Sequence, residues 1–160
     1  MSGVTIRPAI AADTETLLAL IDGLADYEKL TAPDAEARAR FAAEISRDPP
    51  RTWCYLAEAD GAAVGYAVVC ETYSTFSMRP KLFLEDIFVT SGARATGAGH
   101  ALFRAISEEA IRRDCSAIVW EVLDWNKLAI GFYQRVGGKR FDGWSEWRID
   151  RAAMERLVAS

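Results

Sequence analysis

Leu84-Glu85-Asp86-Ile87-Phe88-Val89, then Arg94-Ala95-Thr96-Gly97-Ala98-Gly99, is the stretch on which the fold turns. The first run has the apolar, β-branched and aromatic content of a strand, Leu82 to Val89. The second is a small-residue loop, Thr90 to Gly99, that opens a helix from about Gly97 to Arg113. Ala98, Ala101, Leu102, Ala105, Ile106 and Ala110 recur at the spacing of one helical face. At the start of a helix successive backbone N–H groups lack partners, and the helix dipole adds partial positive charge. A strand, a glycine-bearing turn and a helix start together make a place for a phosphate or diphosphate. Gly97 and Gly99 let an anion approach the main chain, and Arg94 adds a cationic fork.

Upstream, Val4 to Arg7 alternates as a short strand that Pro8 ends. Asp13 is placed to cap a helix carrying Leu17, Leu20, Ile21 and Leu24 on one face as far as about Glu28. Asp34 is placed to cap a second helix through about Arg47, before Pro49-Pro50. Thr52–Ala59 and Ala63–Thr72 are β-rich runs around Asp60-Gly61, a hairpin signal. Downstream, the pattern predicts a buried strand over Ala117–Leu123 and a helix over Leu128–Val136 stopped by Gly137-Gly138. A final hairpin over Lys139–Phe141 and Glu146–Ile149 and a C-terminal helix over Arg151–Val158 follow. The order implies an α/β fold around a mixed, mostly antiparallel sheet with a crossover connection.

Composition narrows the function classes. A chain of 160 residues with 51% hydrophobic and 26% charged residues reads as one globular domain, 1–160. A net charge of −4 gives no general attraction for nucleic acid and suits a cationic partner. Three scattered cysteines, Cys54, Cys70 and Cys115, point away from a disulfide framework or a cysteine-held metal. The one histidine, His100, excludes a His-pair zinc site, and no metal is expected. Met1 to Arg7 has no secretory apolar run, and no stretch is apolar for the roughly 18 residues a membrane span needs. The cytoplasm is the default compartment.

The phosphate loop is not a Walker A sequence, because no Gly-Lys-Ser/Thr closes it. It lacks the third glycine of a dinucleotide fingerprint, since position 102 is Leu. Arg94-x-x-Gly97-x-Gly99 resembles the acyl-CoA diphosphate loop of the GNAT N-acetyltransferases. Trp125-Asn126-Lys127-Leu128-Ala129-Ile130-Gly131-Phe132-Tyr133, running on to Gly137-Gly138, is similar to that family's second signature. Leu24-Ala25-Asp26-Tyr27-Glu28-Lys29-Leu30 and Leu84-Glu85-Asp86 look like the matching parts of the spermidine/spermine (diamine) acetyltransferases. The resemblance is collinear from about Ile6 to Ile149.

It implies a GNAT fold of six to seven strands flanked by about four to five helices. It also implies acetyl-CoA as cosubstrate, a small amine as acceptor and a homodimer. Ile87, Phe88 and Val89 would pair main-chain groups with the pantetheine arm. Arg94, Ala95, Thr96, Gly97, Ala98, Gly99 and the adjacent His100 would line the diphosphate, and Asn126, Ala129 and Tyr133 would complete the cofactor contacts. The amine must lose a proton before it attacks, and Glu85 is the candidate acceptor, directly or through water. Strand alternation puts Glu85 on a face with Phe83, Ile87 and Val89, and Asp86 on the other. Tyr133 would protonate the departing thiolate, while Phe132, about 100° away around the helix, packs.

Tyr27, Glu28, Glu85 and Phe76 would line the amine chain. Ser74-Thr75-Phe76-Ser77 lacks the acid and tryptophan of polyamine-specific members. That loop and Leu123-Asp124-Trp125-Asn126 are closer to the thialysine-acetylating relatives. Arg79 would repel a polycation or recruit a carboxylate. Two other readings stay open: transfer to protein or peptide amines, and an acyl-CoA-binding regulatory module without turnover.

Overall fold

Residues 3–160 are described by a computed structural model; the part of the leader reading that falls on Met1 and Ser2 lies outside them. Five strands form one sheet: β1 (Thr5–Pro8), β2 (Thr52–Ala59), β3 (Ala62–Ser74), β4 (Arg79–Val89) and β5 (Ile118–Trp120), in that spatial order. β1 to β4 are antiparallel neighbours, and β5 lies parallel to β4. Asp60 and Gly61 take φ of 52° and 78°, so the two-residue turn between β2 and β3 has the left-handed pair that matches strand twist.

Helix α1 (Thr14–Glu28) lays Leu17 and Leu20 on Leu56, Tyr66, Val68 and Phe88, with Cys54 alongside. Phe41 and Ile45 of α2 (Ala35–Ile45) pack against the same cluster. The intervening residues Ala57, Ala67, Val69 and Leu84 alternate to the other face and are buried there. That face is covered by α3 (Ala98–Arg112), which touches β2, β3 and β4 through a stripe with Ala98, Leu102 and Ile106 fully buried. Each such leucine or isoleucine contributes about 1.5–3 kcal/mol of burial. At Gly65 the sheet leaves no space for a side chain: a Cβ would stand 2.6 Å from the Phe88 carbonyl oxygen.

The Asp34 carboxylate caps α2, accepting from Ala37 N at 2.8 Å as the sequence predicts. Asp13 does not cap α1. Its oxygens accept from Arg7 at 2.7 and 2.8 Å and from the Ile10 amide at 2.8 Å, because a guanidinium fork outcompetes amides for the carboxylate.

The described chain falls into two compact units, one through Glu121 and one over Val122–Ser160. The second holds α4 (Lys127–Arg135) and α5 (Arg151–Ala159), the latter capped by Asp150 accepting from Ala153 N at 2.8 Å. The expected hairpin over 139–149 is absent among the described residues. Its two runs are three and four residues long, too short for a two-stranded ribbon to hold itself together, and Trp147 is 91% exposed. The strand expected over Ala117–Leu123 shortens to Ile118–Trp120 and is only half-buried. The mixed, mostly antiparallel α/β sheet agrees with expectation, but among the described residues the counts differ: five strands, not six to seven, and two short 3-10 helices besides the five α-helices. Among the described residues no helix is long and apolar enough to cross a membrane.

Candidate functional site

β4 changes character at Glu85. On β3, Val69 faces Leu84 and Val68 faces Asp86, so Glu85 is an extra residue without a partner, a β-bulge. The bulge resets the alternation. Phe83, opposite Cys70, lies on the face of Tyr66 and Val68, whereas Ile87, opposite Ala67, lies on the face of Val69. The expected common face of Phe83, Glu85, Ile87 and Val89 is therefore corrected, because strict alternation holds only without an inserted residue. β5 pairs with β4 only over Leu82, Phe83 and Leu84. Beyond the bulge, Ile87, Phe88 and Val89 have no strand on that side among the described residues. Their main chain is an edge that an extended ligand can join.

Asp86 lies on the face opposite Ile87 and Val89 as alternation predicts, but the bulge puts it on the face of Phe83, where the sequence reading did not. Asp86 is half-buried on the α1 side, and the Tyr66 hydroxyl donates to its Oδ2 at 3.2 Å. Burial pushes the Asp86 carboxyl up to about 6; the Tyr66 bond opposes this, and the charges of Glu85 and Glu28 add to it. Burial likewise raises Glu28 at the end of α1. Cys54, buried behind Asp86, is pushed up to about 12, first by burial and then by the Asp86 charge. Glu85 itself is exposed. The charges of Glu28 and Glu85, from two elements, thus bear on the half-buried Asp86 carboxyl, whose proton affinity is raised to about 6. The sequence signal for Asp86 is the Glu85-Asp86 pair itself: two successive acids in a buried strand cannot both face water under plain alternation.

The turn after β4 is a 3-10 helix, Ser91–Thr96, anchored by buried Ala93 and by Thr96 Oγ1 donating to the Ala93 carbonyl at 2.7 Å. Ala95 is exposed on it. Gly97 then takes φ 86° and opens α3, with no side chain capping the helix. A Cβ at Gly97 would meet nothing within 4 Å, so glycine is there for its left-handed backbone. The first helical bond of α3 runs from Ala101 N to the Gly97 carbonyl, so the amides of Ala98, Gly99 and His100 ahead of it have no acceptor within the helix. Arg94 lies over the Tyr27 ring, 4.6 Å from its centroid, and its Nε donates to the Val89 carbonyl at 3.2 Å. One side chain thereby joins the end of α1, the end of β4 and the phosphate-type turn.

Arg94 ties Tyr27 to Val89, and the charges of Glu28 and Glu85 meet at Asp86 on the same strand. Phe76, at the β3–β4 hairpin tip, is 96% exposed and stands in solvent. In the second unit, buried Asn126 caps α4, its Oδ1 accepting from Ala129 N at 3.1 Å. Tyr133 is half-buried, its ring 5.6 Å from that of Phe132 and tilted by 60°. Among the described residues no group of three or more His, Cys, Asp or Glu is placed to hold a metal ion.

This geometry has relatives. The chain is 33% identical over 169 residues to the thialysine N-epsilon-acetyltransferase of Sus scrofa, covering 99% of both proteins. It is 31% identical over 100 residues to the L-ornithine N5-acetyltransferase NATA1 of Arabidopsis thaliana, covering 62% of this chain and 42% of that one. Among solved structures, an integron cassette protein from V. cholerae superposes with a TM-score of 0.80 at 21% identity, covering 100% of this chain and 99% of the other. Residues 17–138 match the acetyltransferase (GNAT) family, and the chain is a member of it.

Proposed function

We propose that the chain is an acetyl-CoA-dependent N-acetyltransferase that moves the acetyl group to a primary amine of a small diamine-like or thialysine-like substrate. The observation that carries this reading is the bulge at Glu85, beyond which the β4 edge is open and leads through the 91–96 turn to helix-start amides that have no acceptor within the helix. An extended acyl-CoA fits there. Ile87, Phe88 and Val89 would pair with its pantetheine arm. The amides of Ala98, Gly99 and His100, with Arg94, would hold the diphosphate, along a turn formed by Ala95, Thr96 and Gly97. Asn126 and Ala129 would add contacts from the α4 start.

An alkyl ammonium, with an ordinary pKa near ~10.4, is mostly protonated at neutral pH. Glu85, exposed at the bulge, takes the proton through water as the amine nitrogen attacks the thioester carbonyl carbon. The tetrahedral intermediate collapses with loss of the CoA thiolate, which Tyr133 protonates. Tyr27 and Glu28 line the amine chain. Leu123-Asp124-Trp125-Asn126 and the likeness to a thialysine acetyltransferase support an amino-acid diamine over spermidine or spermine. The same reading has one domain over 1–160 working as a cytoplasmic homodimer, with light scattering expected to give twice the chain mass.

Thiol release from acetyl-CoA, followed with thialysine, ornithine, spermidine and a short peptide, tests the function. Acceleration by thialysine and ornithine above spermidine is the expected result. Acceleration by the peptide alone assigns a protein amine instead. Tight coenzyme A binding with no amine-dependent release overturns the enzyme reading in favour of a regulatory module.

A further inference from the structure

The buried pair Tyr66–Asp86 belongs to neither the cofactor edge nor the base. We propose that Tyr66 is a positioning residue of the amine site, its hydroxyl holding the Asp86 carboxylate as the anionic seat on which the acceptor's ammonium docks. The inference rests on the acetyltransferase reading above.

Tyr66 is fully buried, and its ring is wedged among Leu17, Leu20 and Phe88, with the Phe88 ring centroid at 6.4 Å. A hydroxyl cut off from water costs stability unless it is bonded. This one donates its proton to Asp86 Oδ2. Val68 opposite Asp86 and Tyr66 opposite Phe88 make the contact a cross-strand diagonal, so two strands fix its geometry. The groups that bear on Asp86 are Glu85 on its own strand, Glu28 from α1, Tyr66 from β3 and Cys54 from β2. Among the described residues no cation pairs with it. A half-buried carboxylate beside two others, without a cation, is an arrangement that an incoming ammonium completes. Burial and the neighbouring carboxylates resist ionisation, and the Tyr66 bond works against them. Tyr66 therefore governs the pH range over which the seat is charged.

Tyr66→Phe removes the hydroxyl and keeps the ring. Calorimetric binding of thialysine in the presence of coenzyme A, taken from pH 5 to 9 beside wild type, reads the effect. The expected result is an acid limit for binding that moves up by about one pH unit, with affinity about fivefold weaker at pH 6 and nearly restored at pH 9. Coenzyme A affinity stays put. The Asp86 carboxyl signal, followed by carbon NMR, moves upward with the limit. A limit that does not move in the folded variant overturns the proposal, even if wild type turns over normally. Thialysine that binds with the shifted limit yet is never acetylated leaves the seat standing and overturns the transfer reading. Should Tyr66→Phe not fold, Asp86→Asn decides: the seat requires at least about tenfold weaker thialysine binding at neutral pH, and unchanged binding overturns it.

Discussion

Leu82–Leu84 and Asp86–Val89 are two halves of one strand with different tasks. The first half has strands on both sides and sends Leu82 and Leu84 into the core under α3. The second half has a strand on one side only and carries a carboxylate with no cation beside it among the described residues. A single inserted residue separates them. The sheet can thus be rigid up to Leu84 and open to ligand from the next residue on, without a loop or a second domain to supply the opening.

Deleting Glu85 is the harshest test of that contrast. The deletion restores even alternation and keeps Leu84, Asp86 and Phe88 on their present faces. The expected outcome is a folded protein with no measurable turnover and acetyl-CoA affinity reduced more than about tenfold, read by thiol release and calorimetry. Undiminished cofactor affinity would show that the bulge is not what opens the edge.

Glu85→Gln keeps the bulge and removes the charge. Turnover should fall by about 10²–10⁴-fold, with unchanged melting temperature and coenzyme A affinity. Leu84→Ala attacks the other half. It should cost about 3 kcal/mol of stability by denaturant titration, while the surviving folded fraction turns over normally.

Asp86→Asn sharpens the comparison through pH. The carboxyl rises from its ordinary 3.8 to about 6 in the folded chain. The folded state therefore binds this proton more tightly than the unfolded one. Asp86 costs nothing below about pH 3.8, and its penalty grows up to about pH 6 and is full above that. Replacing it should stabilise the protein by about 2–3 kcal/mol at pH 8 and by almost nothing at pH 3.5, read from melting temperatures across pH. A pH-independent difference would remove the burial argument.

Most of the frame was legible from local pattern. The Asp60-Gly61 turn, the Asp34 cap and the stripe of α3 each follow from a few neighbouring residues, so short-range chemistry was sufficient. The bulge was not legible. Phe83, Glu85, Ile87 and Val89 alternate without a break in the sequence, and only the pairing with Val68 and Val69 on another strand inserts the extra residue. Asp86 stands on the face opposite Ile87 and Val89 as alternation predicts, but its raised proton affinity was not legible, because it comes first from burial and is then modified by Tyr66 and Glu28, remote in sequence. The Asp13 cap failed because Arg7 competes for the carboxylate. The 139–149 hairpin was over-read from two runs of three and four residues, too short to hold as a ribbon by themselves.

Arg94 lies on Tyr27 while bonded to the carbonyl that ends β4. The last turn of the first helix, the mouth of the strand and the glycine turn are therefore one mechanical linkage. Under the proposed function, a polyanion that drew the guanidinium toward itself would lift it from the phenol ring, so the arrival of the acyl donor would be felt at the place assigned to the amine.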